Sequence, residues 1–112
     1  MASIFTKIGK KEIPTELVHE DELCFAFKDI EPKAPTHLLI VPREEFASAN
    51  EVDEAREKLV GHLVRVAAML AKQRGLSQSG YRLVFNTGSN AGQTVFHLHL
   101  HLLGGRPLHE MG

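Results

Sequence analysis

Cysteine is almost absent from this chain of 112 residues. Cys24 is its only cysteine, so no disulfide can form within the chain. Residues 1–7 contain no apolar core of the kind that a secretory signal peptide needs. We therefore expect a cytoplasmic protein.

Long apolar runs and long runs of one charge are also missing. The apolar runs fall far short of the roughly 20 residues of a transmembrane helix, so no membrane association is expected. The 13 basic and 14 acidic residues are interspersed and give a net charge of −1, which argues against nucleic acid as a partner. A hydrophobic content of 43% is ordinary for a globular protein, and we expect one domain over residues 1–112 with a single core.

Histidine, by contrast, is plentiful, and three of the seven histidines alternate with large apolar residues in residues 95–103. Alternation is the period of a β-strand, whose successive side chains point to opposite faces. One face is predicted to carry Val95, His97, His99, His101 and Leu103. The apolar face is predicted to carry Phe96, Leu98, Leu100 and Leu102. Because no core requires three aligned imidazoles, the pattern indicates chemistry.

The rest of the chain predicts an α+β fold. Ser3 is expected to cap a short amino-terminal helix that Gly9 ends. Short strands are predicted at residues 16–19, 23–27, 36–41 and 81–86, and one long helix from about residue 50 to 74. With the histidine strand, these elements predict an antiparallel sheet of about five strands covered on one face by the long helix. The apolar stripe of that helix could also serve a partner subunit, and His62 on it is given no chemical role.

Two kinds of site fit the histidines. A metal site would use His97 and His99 with His37 from another strand. However, His97 and His101 would stand about 13 Å apart on one strand, and no carboxylate or cysteine cluster is nearby in sequence. The favoured alternative is nucleophilic catalysis by a neutral imidazole, with the glycine-containing loop of residues 87–93 offering hydrogen-bond donors to an anion. We therefore predict no metal and no cofactor, and an activity and a melting temperature that exhaustive chelation leaves unchanged.

The stretch from His97 to Leu103 resembles the signature of the histidine triad (HIT) family. Pro35-Thr36-His37, Ala91-Gly92-Gln93-Thr94 and Leu103-Gly104-Gly105-Arg106 extend the resemblance over nearly the whole chain. The sequence is most similar to the Hint branch, the purine nucleoside phosphoramidases. The resemblance implies a HIT-like fold and hydrolysis of the P–N bond of adenosine or guanosine 5′-phosphoramidates. The reaction would pass through a nucleotidyl-histidine intermediate.

The resemblance also implies roles for individual residues. His99 would be the nucleophile, His97 and His101 would contact the phosphate and hold the site, and His37 would lie behind them. Asp29 would accept the ribose hydroxyls. The phosphate side would comprise Asn86, Gly92, Gln93 and Thr94. The purine slot would comprise Ile4, Phe5, Phe27, Ile30 and Leu39, although apolar residues such as these often simply pack in a core.

The resemblance further implies a homodimer that joins the strands of residues 81–86 and the long helices. Its ligands would be purine nucleoside monophosphates and their phosphoramidates. Two other functions stay open from the sequence. One is a nucleotide-binding regulatory or scaffold protein in which hydrolysis is incidental, and the other is a dinucleoside polyphosphate hydrolase.

Overall fold

The computed structural model describes residues 2–112 and confirms the predicted α+β fold. Its helices are α1 (Ile4–Gly9) and α2 (Glu57–Gln73). Its strands are β1 (Leu17–Glu20), β2 (Cys24–Lys28), β3 (Thr36–Pro42), β4 (Tyr81–Val84) and β5 (Leu100–Gly104). Among residues 2–112, no helix has both the length and the apolar character needed to cross a membrane.

The five strands form one antiparallel sheet in the order β1-β2-β3-β5-β4. The face that includes Leu38, Ile40, Leu100 and Leu102 packs against α2 in the larger core cluster. The other face packs against α1, where Phe5 and Ile8 join Phe25, Phe27 and Leu39 in a second, smaller cluster. The short helix α1 therefore covers only part of the second face, and the candidate site lies beside it.

The helix predicted from about residue 50 to 74 is shorter than expected. Residues Ala49–Glu51 and Glu54–Arg56 form two separate 3₁₀ turns, and α2 begins at Glu57. Ser48 and Glu51 close a capping box on the first turn, and the Asp53 side chain accepts a hydrogen bond from Arg56 N on the second. Val52, between them, is extended, with φ −79° and ψ 114°. Two competing caps thus start two turns, and the chain leaves helical geometry between them.

The predicted histidine strand is also shorter, because β5 begins only at Leu100. Its pairing with β3 starts at Ile40↔Leu100 and its pairing with β4 at Val84↔His101, so the residues before Leu100 are unpaired although β3 itself continues to Pro42. Residues 95–97 form a bend, and Leu98 N donates to Phe46 O at 2.7 Å. Leu98, Leu100 and Leu102 are buried as predicted, but Phe96 is 60% exposed and lies off the predicted apolar face. Likewise β4 ends at Val84 rather than at residue 86.

Candidate active site

A cavity of about 430 Å³ lies beside α1 on the sheet face that α2 does not cover. The predicted site residues that line it are Ile4, Phe5, Phe27, Asp29, Ile30, Leu39, Thr94, His99 and His101. His37, Asn86, Gly92, Gln93 and His97 do not line it. The structure therefore brings most of the predicted binding residues together and places the others around them.

The cavity has an apolar part and a polar part, and Phe5 connects them. The Phe5 ring meets Phe27 edge-on at 5.7 Å between centroids and meets His99 edge-on at 4.9 Å. Ser3 orients Phe5, because its side chain accepts a hydrogen bond from Thr6 N and so begins α1 where the sequence predicts. The amino-terminal helix thus places an apolar wall directly against a candidate nucleophile.

His97 faces away from the cavity and is completely buried, at 0% exposure. Its Nε2 lies 2.8 Å from the Pro42 carbonyl oxygen and must donate to it, since a carbonyl only accepts. Its Nδ1 therefore accepts from the Ser3 hydroxyl, whose oxygen is 2.6 Å away. With both ring nitrogens occupied, His97 ties α1 to the end of β3 and is not placed to contact a phosphate in the cavity.

His99 is held in the tautomer that a nucleophile requires. Its Nδ1 lies 2.7 Å from the His97 carbonyl oxygen, so Nδ1 carries the proton and Nε2 keeps its lone pair. Within residues 2–112, no side chain or backbone group forms a hydrogen bond with that Nε2. Burial lowers the pKa of His99 below its ordinary value, although the His97 carbonyl and the Asp29 charge act in the opposite direction. The imidazole is therefore neutral at pH 7 and able to attack an electrophile.

His37 and His101 form a hydrogen-bonded pair whose proton positions are also determined. The Lys33 backbone N–H donates to His37 Nδ1 at 3.0 Å, so His37 carries its proton on Nε2. That Nε2 lies 2.9 Å from His101 Nδ1, which must accept, and His101 consequently carries its own proton on Nε2. Asn86 Nδ2 stands 3.5 Å from this Nε2, and because both are donors in this tautomer the two do not hydrogen-bond. His101 thus presents an N–H group on the side of the cavity.

Burial is the main influence on the pKa values of this pair. It lowers the pKa of His37, although the nearby Asp29 carboxylate, whose Oδ2 is 3.4 Å from His37 Nε2, acts to raise it. Burial, followed by the positive charges that His99 and His37 can carry, lowers the pKa of His101 to about 4. Both rings are therefore neutral in the free protein at pH 7.

The buried side chain of Gln93 holds the loop of residues 88–94 in place by hydrogen bonds within the protein. The Gln93 side chain is buried, its Oε1 accepts from Gly88 N at 2.9 Å, and its Nε2 donates to Ala47 O at 2.7 Å. Gly92 has φ +81°, in the left-handed region that favours glycine. Thr94, which follows, is exposed and lines the cavity. Gln93 and Gly92 thus position the loop, and Thr94 is the member that meets the cavity.

Several lining residues were missed from the sequence: Ile8, Thr15, Glu31, Lys33 and Val95. Lys33 matters most, because its backbone N–H determines the tautomer of His37. It lies in a proline-containing loop where neither periodicity nor residue type marks one backbone amide. Only the approach of β3 to that loop reveals the contact.

One group of possible metal ligands lies at this site, and it is not the set of His37, His97 and His99 that the sequence suggested. The ligand atoms of Asp29, His37 and His101 all lie within 4.8 Å of one another. His97 cannot join such a set, since Ser3 and Pro42 occupy its ring nitrogens. The three residues are close because His37 donates a hydrogen bond to His101 and lies beside the Asp29 carboxylate, so no metal is needed to explain their arrangement.

Comparisons with known proteins agree with this geometry. The family model of the HIT domain matches residues 10–108. The purine nucleoside phosphoramidase of Escherichia coli strain K12 is 48% identical over 109 residues, which cover 97% of this chain and 92% of that protein. The crystal structure of a HIT family hydrolase from Legionella pneumophila Philadelphia 1 matches with TM-score 0.92 and 49% identity over 95% of each chain. A histidine triad protein from Clostridium difficile matches with TM-score 0.93 and 39% identity, covering 98% of this chain and 96% of the other.

Proposed function

This chain belongs to the HIT domain family and is a hydrolase, and we propose that it hydrolyses the P–N bond of purine nucleoside 5′-phosphoramidates. The observation that carries the proposal is the tautomer of His99. Its Nδ1–H is fixed to the His97 carbonyl oxygen, which leaves Nε2 as a nucleophile beside the cavity. Neither a cofactor nor a metal takes part in the proposed reaction.

The first step is attack of His99 Nε2 on phosphorus. The P–N bond of the substrate breaks as the bond from phosphorus to Nε2 forms, which leaves a nucleotidyl-His99 intermediate. The positive charge that develops on the His99 ring is stabilised by the His97 carbonyl oxygen at 2.7 Å from Nδ1. An amine leaves only when protonated, so this step also needs an acid.

His101 is the proposed acid. Binding of an anionic phosphoryl group favours the protonated form of His101, and the Asp29 carboxylate acts in the same direction on the pKa values of His101 and His37. The His101 imidazolium gives its Nε2 proton to the departing nitrogen and becomes neutral. Water then attacks the intermediate and transfers a proton to His101, which releases the nucleoside monophosphate and restores both histidines.

Exposure separates binding residues from packing residues in the proposed purine slot. Ile30 is 93% exposed and Ile4 is 52% exposed, so neither is accounted for by the core. Phe5, Phe27 and Leu39 are buried in the smaller core cluster and also line the cavity, so they serve packing and the slot together. Asp29 lines the same cavity and is proposed to accept the ribose hydroxyls. Thr94 is proposed to donate to the phosphate, with Asn86 beside His101 and the Gly92-Gln93 turn as support.

We further propose a homodimer with β4 at its interface, as a single HIT domain per subunit. Both β1 and β4 are edge strands. However, β1 contains a register shift between Leu17 and His19, a feature that discourages edge pairing, whereas β4 pairs in regular register along its length. Val64 on α2 is 39% exposed, and we propose that it contributes apolar surface to the same interface.

The test is a search for the covalent intermediate, carried out in the presence of a chelator. Wild-type protein mixed with an adenosine phosphoramidate and quenched without acid is expected to gain the mass of one nucleoside monophosphate on His99. The His99→Ala variant is expected to bind nucleotide but to turn over at least about 10³-fold more slowly, or roughly 4 kcal/mol of transition-state stabilisation.

His109→Ala is the matched control, since His109 is exposed and lies outside the cavity lining. It is expected to react at the wild-type rate. An adduct on another residue, or near-normal turnover by His99→Ala, would show that the nucleophile is misassigned. A dinucleoside polyphosphate run in parallel is expected to be the poorer substrate.

A further inference from the structure

A second cluster of chemically active side chains lies away from the catalytic cavity, where the β1–β2 hairpin meets α2. His19, Asp21 and Cys24 come from the hairpin, and His62 comes from the helix. Asp21 Oδ2 is 2.8 Å from His19 Nε2 and 2.8 Å from His62 Nε2. Cys24 Sγ is 3.6 Å from the same oxygen. One carboxylate oxygen therefore contacts two imidazoles and one thiol.

The three separations from Asp21 Oδ2 are close to the ligand–ligand distances of a tetrahedral metal site. Zinc binds nitrogen and oxygen at about 2.0–2.2 Å and sulfur at about 2.3 Å, which sets ligand atoms roughly 3.3–3.7 Å apart. The Asp21–Cys24 distance of 3.6 Å already falls in this range. The two contacts of 2.8 Å need to open by only about half an ångström. The ligand atoms of His19, Asp21 and Cys24 all lie within 4.8 Å of one another, whereas His62 lies outside that set and contacts the cluster through Asp21.

The carboxylate at the centre is held in place by the backbone. Asp21 Oδ1 accepts from Leu23 N at 2.7 Å and from Cys24 N at 2.8 Å, so Oδ2 is directed to the histidines. The backbone thus fixes the Asp21 carboxylate so that Oδ2 meets both His19 and His62.

An ion can reach this cluster from solvent. A cavity of about 370 Å³ is lined by His19, Asp21 and His62 together with Arg65, Val66 and Met69. Cys24 is fully buried and does not line this cavity, but its Sγ lies 3.6 Å from Asp21 Oδ2, which does. Two nitrogen ligands, one oxygen ligand and one sulfur ligand make a set that suits zinc better than magnesium or calcium, which prefer oxygen alone.

We propose that His19, Asp21, Cys24 and His62 bind a divalent transition metal of the zinc class and thereby fasten the β1–β2 hairpin to α2. The proposed role is structural, because none of these residues lines the catalytic cavity. The hypothesis is independent of the proposed reaction, whose acid and nucleophile lie elsewhere.

The test begins with chelator-treated, full-length protein titrated with Co²⁺ in a spectrophotometer and with Zn²⁺ in a calorimeter. We expect the visible absorption of tetrahedral Co²⁺ and a thiolate-to-cobalt charge-transfer band from Cys24. Zn²⁺ is expected to raise the melting temperature, since it binds the folded chain at a site that the unfolded chain lacks.

Variants separate this site from the catalytic histidines. His19→Gln and His62→Gln are each expected to weaken Zn²⁺ binding at least about tenfold, the size of loss seen even for groups that only support a metal ligand. Turnover of a phosphoramidate by these variants is expected to equal that of wild type. His109→Gln, which changes an exposed histidine outside the cluster, is expected to bind Zn²⁺ as wild type does.

Two results would overturn the proposal. One is Zn²⁺ affinity that is unchanged in the His19→Gln/His62→Gln double variant, which would leave only the hydrogen bonds of these histidines with Asp21. The other is loss of Zn²⁺ binding in His101→Gln alone, which would assign the metal to the catalytic histidines. Circular dichroism verifies that each variant is folded. If His62→Gln unfolds, Cys24→Ser decides, because it should abolish the charge-transfer band, and a band that persists contradicts the site.

Discussion

The three histidines of the triad differ in chemistry because a different neighbouring group fixes the proton on each ring. His97 donates from Nε2 to the Pro42 carbonyl and has no free nitrogen. His99 donates from Nδ1 and keeps a lone pair on Nε2. His101 accepts at Nδ1 from His37 and so presents Nε2–H. Each histidine thus has a distinct state at the same pH.

Acid is expected to destabilise the protein through these buried rings. Burial lowers the folded-state pKa of His37, His97, His99 and His101 below the ordinary 6.5, to about 4 for His101. Between about pH 6.5 and 4 the unfolded chain therefore binds more protons, and the free energy of unfolding falls as the pH falls through this window. The lowered pKa of His101 alone accounts for roughly 3 kcal/mol of this fall in the free energy of unfolding.

Urea denaturation at several pH values from 7 to 4 measures this slope. The His101→Gln variant is expected to show a shallower slope, and His109→Gln the wild-type slope. Identical slopes for wild type and His101→Gln would refute the assignment of a neutral, buried His101.

Asp29 allows a test of how the ribose of the substrate is recognised. Its Oδ1 already accepts from Glu31 N at 2.8 Å, which leaves Oδ2 for His37 and for a ligand. Asp29→Ala is expected to weaken the binding of a ribonucleotide much more than the binding of an analogue that lacks both ribose hydroxyls. Equal weakening of the two ligands in a calorimetric titration would remove Asp29 from the ribose role.

At the scale of elements, α1 links the core to the site. Its six residues carry Ile4 and Phe5 into the cavity, and Ser3 at its start bonds to His97. The helix can lie this close to the sheet because its last residue is glycine. A Cβ on Gly9 would lie 2.5 Å from Cε1 of the fully buried Phe25.

Gly9→Ala is therefore expected to displace α1 and lower the free energy of unfolding by about 1–3 kcal/mol, the usual cost of overpacking. The matched control is Gly61→Ala, because a Cβ on Gly61, in the interior of α2, meets nothing within 4 Å. That change is expected to raise the free energy of unfolding by up to about 1 kcal/mol through helix propensity. Chemical denaturation measures both, and equal effects of the two changes would contradict the close packing of α1.

At the scale of the whole molecule, the two edges of the sheet are unequal. The β1 edge lies beside the cluster of His19, Asp21, Cys24 and His62, whereas β4 presents a regular, half-buried edge. Helical geometry places Val64 on the flank of α2 opposite Met69, which lines the cavity beside that cluster. A second subunit is therefore expected on the β4 side.

Val64→Lys is expected to convert a dimer into a monomer, because it places a charge in the proposed apolar contact. Met69→Lys, at a residue of similar exposure on the other flank, is expected to leave the dimer intact. Light scattering at micromolar concentration measures both masses. A monomeric wild-type protein, or dissociation by Met69→Lys alone, would rule out the β4 interface.

Local pattern was sufficient for much of this protein. Alternation and capping residues predicted five strands, the Ser3 cap and the burial of Leu98, Leu100 and Leu102, because these properties depend on neighbours within one element. The triad and its flanking motifs predicted the family, and with it the residues that were found around one cavity.

Tertiary structure alone decided which proton each histidine carries and which histidines face the cavity. The groups responsible, such as the Pro42 carbonyl and the Lys33 amide, are backbone atoms that every residue possesses, so no residue type marks them. Strand length was likewise decided by where β3 and β4 stop pairing with β5, which is why the predicted strand lost His97 and His99. The meeting of His62 with the β1–β2 hairpin depends on a helix packing against residues 41 positions away, a distance over which periodicity carries no information.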